Sequence, residues 1–374
     1  MSKENIFICA GETSADLYAA MLLVELQKTL PDVHFWGVGG PSSRGLMECL
    51  IPMEQFQVMG LSDVLKALPR LISNFYKITR SILERSPKMV IIIDQPSFGI
   101  KLARHLRKKG YTGKIVQFVA PTVWAWKKNR ADEMAKYFDL LLTLFDFEPA
   151  YFAHTTLKSV FVGHPITELI AHDNSHSLFL DPDRPVLSIF PGSRPAEIKR
   201  NLAKQLEAAK LFCKKFPTTQ IAVSVASHDA VDIPQGLLPS IIVVPFNARY
   251  ELMKKSHLAL AKSGTVTLEL ALHQVPTVVT YELSYLNYLM AKYIMKVESM
   301  PFFCIVNILC GKKVFAECIK PPVTSQMIYE RLEVWQNSPQ SYQQCVDGCI
   351  ELKKHVMGTL SPIKTCVKEL CELL

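Results

Sequence analysis

Short, nearly unbroken apolar runs recur along this chain, each closed by turn residues and followed by a stretch of helical period. In the first half the runs are NIFICA (5–10), VHFWGV (33–38), MVIIID (89–94), KIVQFVA (114–120), LLLTL (140–144) and SVFVG (159–163). Continuous hydrophobicity over so few residues predicts parallel strands covered on both faces. Between them, segments such as ADLYAAMLLVELQKTL place Leu17, Met21 and Val24 on one helical face. The pattern restarts with VLSIF (186–190), QIAVSVA (220–226), SIIVVPF (240–246), LALAKSG (258–264) and PTVVTYE (276–282). The polar, proline-containing AHDNSHSLFLDPDRP between the two series has no period and reads as a linker.

The fold expected is α/β, with two doubly wound, Rossmann-like domains of mostly parallel sheet. Their expected bounds are 1–170 and 171–323, followed by a helical, charged C-terminal segment over 324–374. Such sheets bind ligands beyond the carboxyl ends of their strands. Two facing sheets predict a cleft, so the informative residues are those just after strands.

Composition narrows the class. The 374 residues are 49% apolar and 20% charged, which is globular rather than disordered. The net charge of +8 suits an acidic partner, phosphates or an anionic membrane surface. No tandem basic and aromatic patches point to nucleic acid. The ten cysteines show no C-x-x-C spacing beside histidines, which suggests reduced thiols in a cytosolic protein rather than a disulfide framework or a zinc site. The opening MSKENIFICAGETS lacks a signal-peptide core, and no apolar run reaches the ~18 residues of a spanning helix.

Several turns carry candidate chemistry. In LSIFPGSRPAEIKRN a strand ends at Pro191-Gly192-Ser193-Arg194, and a helix opens at Pro195 with Glu197 in its first turn. First-turn N–H groups, a glycine and an arginine suit a phosphate; a capped helix with a surface arginine is the plainer reading. In AKSGTVTLELAL, Ser263-Gly264-Thr265 opens another helix, and Glu269 one turn on suits ribose hydroxyls. Together the two turns point to a nucleoside diphosphate; alone, the second is a capping motif.

Asp94 ends the apolar strand of MVIIIDQPSFGI, where apolar neighbours raise a carboxyl pKa toward that of a general base. A capping aspartate is the alternative. VAPTVWAWKKNR offers Trp124 and Trp126 as a sugar platform, with Lys127, Lys128 and Arg130 as a basic rim, or simply a packed loop. The AGETSAD turn supplies Glu12, Thr13, Ser14 and Asp16, with Thr13 or Ser14 also placed to cap the following helix. Residues 60–85 form a basic amphipathic pattern suited either to an anionic bilayer or to solvent, with Pro69 expected to bend or restart the helix. The Asp-x-Asp of DPDR (181–184) sits in the linker and reads as turn chemistry rather than a metal site.

Taken in order, AGETSADLYA, VMGLSDVL, IIIDQPSF, APTVWAWKKNRA, FVGHPI, FPGSRPAEI, SGTVTLELAL and IVNILCGKK resemble motifs of the lipid-A-disaccharide synthase family, over residues 4–320. The resemblance implies an inverting GT-B glycosyltransferase at the inner face of the cytoplasmic membrane of a Gram-negative-type bacterium. Its substrates would be UDP-2,3-diacylglucosamine and 2,3-diacylglucosamine 1-phosphate (lipid X), giving a β-1,6 disaccharide 1-phosphate and UDP, with no cofactor and no metal.

By position, Asp94 matches the family's general base, and Glu12, Ser14 and Asp16 its acceptor-side turn. Gly192, Ser193, Arg194 and Glu197 match the diphosphate loop; Ser263, Gly264, Thr265 and Glu269 the nucleotide turn; Asn307 the uracil-side segment. Arg194 would stabilise the departing UDP, and Glu12 would bind acceptor or assist Asp94. The chain departs at Ala15, Ser97, Val306 and Lys312, where the family usually has glycine, aspartate, proline and arginine. Oligomeric state is left open, with a homodimer the assembly to test. Competing readings are another GT-B enzyme acting on a UDP-N-acetylhexosamine, epimerase or cell-wall glycosyltransferase, and a non-catalytic lipid-binding α/β scaffold. A nicotinamide enzyme is disfavoured by the lack of G-x-G-x-x-G after a strand.

Overall fold

The computed structural model describes residues 4–56, 61–121, 129–173, 178–192, 195–225, 241–281, 301–319 and 322–374. The chain divides into two units, one of residues 1–165 with 356–374, the other of residues 166–355.

In the first unit, β1 (Asn5–Ala10), α1 (Thr13–Thr29), β2 (His34–Gly39), β3 (Glu48–Pro52), α2 (Leu61–Arg85), β4 (Met89–Ile93), α3 (Pro96–Lys108), β5 (Lys114–Phe118), α4 (Arg130–Ala135), β6 (Leu140–Thr143) and β7 (Lys158–Phe161) follow in turn. The seven strands lie in the order β3-β2-β1-β4-β5-β6-β7, every pair parallel. All five residues of β4 are buried, and Phe7, Trp36, Val90, Ile92 and Ile115 pack with Ile78 and Ile82 of α2. Each such side chain contributes about 1.5–3 kcal/mol by leaving water.

The second unit holds α5 (Ile166–Ala171), β8 (Val186–Phe190), α6 (Pro195–Lys215), β9 (Gln220–Val225), β10 (Ile241–Pro245), α7 (Arg249–Lys255), β11 (Ser256–Lys262), α8 (Thr265–Leu272), β12 (Thr277–Thr280), α9 (Ile305–Cys310), β13 (Ala316–Cys318), α10 (Ser325–Asn337) and most of α11 (Pro339–Val356). Its sheet repeats the scheme as β10-β9-β8-β11-β12-β13, again parallel throughout. The final helix α12 (Pro362–Leu373) belongs to the first unit, where it packs on α1. There the His164 N–H donates to the Val356 carbonyl at 2.8 Å.

Four local expectations are corrected. The boundary expected near 170 falls after Pro165, and the segment 324–374 is shared between the units rather than standing apart. Strands β3 and β13 are present; ECLIP mixes polar and apolar residues at a sheet edge, and AEC is too short to show a period. The N-cap of α1 is Glu12, which makes no side-chain capping bond, so Thr13 and Ser14 lie inside the first turn. Helix α2 continues through Pro69 and does not restart there. DPDR is a turn, closed by the Asp183 N–H on Asp181 Oδ1 at 3.1 Å. All ten cysteines are free thiols.

Candidate active site

In a doubly wound sheet the ligand crevice opens where the strand order reverses. In the first unit this switch lies between β1 and β4, which pair from Ile6↔Met89 to Ala10↔Ile93. Glu12 follows β1 and Asp94 follows β4, so the topology brings these two carboxylates together. They line one cavity of about 450 Å³ with Phe56, Leu71, Gln95, Pro96, Ser97 and Phe98. Burial, then the negative charge of Glu12, pushes the Asp94 carboxyl above the usual carboxylate range.

The backbone there is strained. Asp94 and Gln95 both have left-handed φ, 58° and 48°, and on the neighbouring strand end Val119 has φ 78°, costly for a β-branched residue. One side chain ties the two turns. Gln117, fully buried in β5, donates from Nε2 to the carbonyls of Asp94 (2.9 Å), Phe118 (3.3 Å) and Val119 (3.3 Å). The Asp94 N–H donates in turn to the Phe118 carbonyl at 2.8 Å, and the Gln95 N–H to Asp94 Oδ1 at 2.8 Å. Gln95 Nε2 reaches Glu12 Oε1 at 3.5 Å, across Gly11. A side chain at Gly11 would meet the end of the Gln95 side chain at 2.7 Å and would displace it from Glu12.

Asp16 is not available to an acceptor. It is 1% exposed, and its carboxylate accepts from the N–H groups of Gly40 (2.7 Å), Ser42 (2.9 Å) and Ser43 (3.2 Å) and from Ser43 Oγ (2.5 Å). Burial alone would raise its pKa; the hydrogen bonds from Ser43, Ser42 and Gly40 outweigh that and hold it low. Ser14 is half-buried in the first turn of α1. Trp124 and Trp126 lie outside the described residues.

The second unit repeats the arrangement at its own switch, between β8 and β11. Gly192 follows β8 with φ 123°, and a side chain there would meet Glu197 Oε2 at 3.0 Å. Glu197 pairs with Lys262, the last residue of β11, at 3.1 Å, so it serves the cation rather than a phosphate directly. Ser193 and Arg194 lie outside the described residues. Ser263 is half-buried, while Gly264 and Thr265 are exposed where α8 begins.

Glu269 is held at Oε1 by the Tyr250 hydroxyl (2.8 Å) and Arg249 Nη2 (3.2 Å). Asn307 is fully buried and spent: Nδ2 donates to the Phe315 carbonyl (3.0 Å) and Glu317 Oε1 (2.9 Å), and Oδ1 accepts from the Val314 and Phe315 N–H groups (2.8 Å each). It shapes the 311–315 turn and leaves no donor for a base. Gln95, Gln117, Lys262, Arg249 and Tyr250 escaped the sequence reading. For Gln95 and Lys262 a signal existed, since both adjoin a strand end at a switch.

Residues 6–359 match the model of the lipid-A-disaccharide synthetase family. The chain belongs to this family. A lipid-A-disaccharide synthase of Chlamydia pneumoniae is 39% identical over 84% of the chain and 54% of its own length. One of Rhodospirillum centenum is 32% identical over 99% of the chain and 94% of its own length. The chain thus spans only about half to three-fifths of the chlamydial relatives it matches. In fold, a UDP-GlcNAc 2-epimerase from Neisseria meningitidis bound to UDP-GlcNAc superposes with TM-score 0.61 at 14% identity, over the whole of both chains. Two solved glycosyltransferases share the chain's fold, with TM-scores of 0.60 and 0.63 at 13% and 11% identity.

Proposed function

We propose that this chain transfers 2,3-diacylglucosamine from UDP to 2,3-diacylglucosamine 1-phosphate, forming the β-1,6 disaccharide 1-phosphate of lipid A biosynthesis and releasing UDP. The observation that carries the reading is the Glu12–Asp94 carboxylate pair at the switch of the first sheet, in a chain of this family. Asp94 takes the proton of the acceptor's 6-hydroxyl as that oxygen attacks the donor's anomeric carbon, and the C1–O bond to UDP breaks with inversion. The diphosphate gathers charge as it leaves. Lys262, the N-terminus of α8 at Gly264 and Thr265, and Arg194 are the groups assigned to that charge, and Glu269 to the ribose hydroxyls.

The reading includes work at an anionic membrane surface. Support comes from α2, where Leu68, Ile72 and Tyr76 stand exposed one turn apart and the exposed Arg80 follows one turn on. Among the described residues no helix is long and apolar enough to cross a membrane. Sedimentation with phosphatidylglycerol vesicles tests this; no difference from phosphatidylcholine vesicles counts against it. The rival binding scaffold is tested by calorimetric titration with UDP, where saturable binding supports transfer and none favours the scaffold. Incubation with UDP-N-acetylglucosamine alone tests the epimerase reading by the appearance of its C2 epimer.

A further inference from the structure

Glu269 is 7% exposed, and among the described residues every donor to its carboxylate meets the same oxygen. The Tyr250 hydroxyl donates to Oε1 at 2.8 Å, and Arg249 reaches that atom from Nε at 3.3 Å and Nη2 at 3.2 Å. Nη2 also donates to the Tyr250 hydroxyl at 2.7 Å, so arginine, tyrosine and carboxylate close a circuit of hydrogen bonds. Ring stacking restricts the same groups. The Arg249 guanidinium lies over the rings of Phe246 and Tyr250, at 4.2 and 4.0 Å, and His273 stacks on Tyr250 with centroids 5.7 Å apart. Burial, then the negative charge of Glu269, pushes the Tyr250 hydroxyl's pKa up, so it stays a donor.

From this geometry we infer that Arg249 and Tyr250 are positioning residues: by occupying Oε1 they reserve Oε2 of Glu269 for the ribose, and so make the site select a ribonucleotide over its 2′-deoxy analogue. An ionised carboxylate accepts and cannot donate, so the ligand group at Oε2 has to bring its own hydrogens. A ribose brings two neighbouring hydroxyls, and one oxygen with two lone pairs can take both. A 2′-deoxyribose brings one and leaves a carboxylate already withdrawn from water short of a partner. Glu269 stands one turn into α8, whose N-terminus is assigned to the diphosphate, which sets the adjoining sugar at its level. Without the brace the carboxylate turns among rotamers, and the hold on two hydroxyls falls further than the hold on one.

The inference rests on the UDP-dependent transfer reading, and its test separates the two. Calorimetry measures the affinity of UDP and of 2′-deoxy-UDP for the unaltered chain and for Tyr250→Phe, Arg249→Met and Arg249→Lys. The unaltered chain should prefer UDP by about tenfold or more. Tyr250→Phe, which keeps the ring and removes only the hydroxyl, should cut that ratio by about threefold. Arg249→Met should bring the ratio close to one, and Arg249→Lys should keep part of it. No preference in the unaltered chain, or a loss equal for both nucleotides, overturns the brace and leaves the transfer reading standing. Failure of the unaltered chain to bind UDP at all overturns the transfer reading, and the brace with it. Circular dichroism melting of each variant identifies misfolding, and Tyr250→Phe supplies the answer if Arg249→Met does not fold.

Discussion

The side-chain amide of Gln117 donates to the main-chain carbonyl of Asp94 at 2.9 Å, holding a left-handed aspartate at the end of a parallel strand. The same amide reaches the carbonyls of Phe118 and Val119, while its own Oε1 is buried without a hydrogen-bond partner, facing Gly99. An orphaned acceptor costs about 1–3 kcal/mol, so the bonds donated by the two amide hydrogens, shared among the three carbonyls, have to offset it. Gln117→Met, close in volume, takes the amide donor from the Asp94 and Val119 carbonyls, while that of Phe118 keeps the Asp94 N–H, and lets the Asp94 turn relax. Turnover should fall about tenfold or more with the substrate KM values little changed, and stability should fall by about 1–3 kcal/mol. Kinetics together with denaturant melts decide it; unchanged turnover would remove Gln117 from the positioning of Asp94.

The raised Asp94 carboxyl predicts a pH signature. A base must be ionised, so activity climbs as pH rises through its elevated pKa. Glu12→Gln removes the second cause of that elevation and should move the acid limb of the rate profile to lower pH. Asp94→Asn should lower turnover by about 10²–10⁴-fold while UDP still binds. For stability the sign follows from linkage. With the folded pKa above the unfolded one, the stabilisation is full below the ordinary carboxylate range and is lost as pH rises through the elevated value. Asp94→Asn should therefore melt higher than the unaltered chain near neutral pH, the gap closing in acid. A lower melting temperature at neutral pH contradicts the burial argument.

Asp16 carries the opposite sign. Its folded pKa is depressed, so its contribution is present above the unfolded value and is lost as pH falls through the folded one. Asp16→Ala strips the loop at 40–43 of four hydrogen bonds to a buried charge. The expected loss is about 3 kcal/mol at neutral pH, shrinking toward acid. Urea melts across pH measure it, and a variant as stable as the unaltered chain would refute the anchoring role.

Lys262 closes the strand that flanks the second switch, held by Glu197 and lying 5.1 Å from the centre of the Tyr281 ring. Lys262→Met should weaken UDP binding by about tenfold, with uridine hardly affected because it lacks the diphosphate. Calorimetry with both ligands checks this. Equal weakening of both would place Lys262 in the fold rather than at the phosphates.

Most of the fold was legible because parallel strands buried on both faces announce themselves as apolar runs, from NIFICA to PTVVTYE. The site was legible where a residue type suffices: Asp94 and Glu12 follow strands, and the doubly wound order made them neighbours. What escaped depends on pairing across the fold. Gln117 lies within an apolar run, where nothing local tells a buried brace from a core residue. Asp16 and Asn307 share motifs with candidate site positions, yet their partners, at 40–43 and 314–317, are supplied by turns that no local pattern identifies.

The most direct test supplies the chain with UDP-2,3-diacylglucosamine and 2,3-diacylglucosamine 1-phosphate, together and singly, and follows the products by mass spectrometry. The account predicts the disaccharide 1-phosphate and UDP only when both substrates are present, and formed about 10²–10⁴-fold more slowly with Asp94→Asn. Failure to form the disaccharide, or release of free sugar from the donor without acceptor, would contradict it.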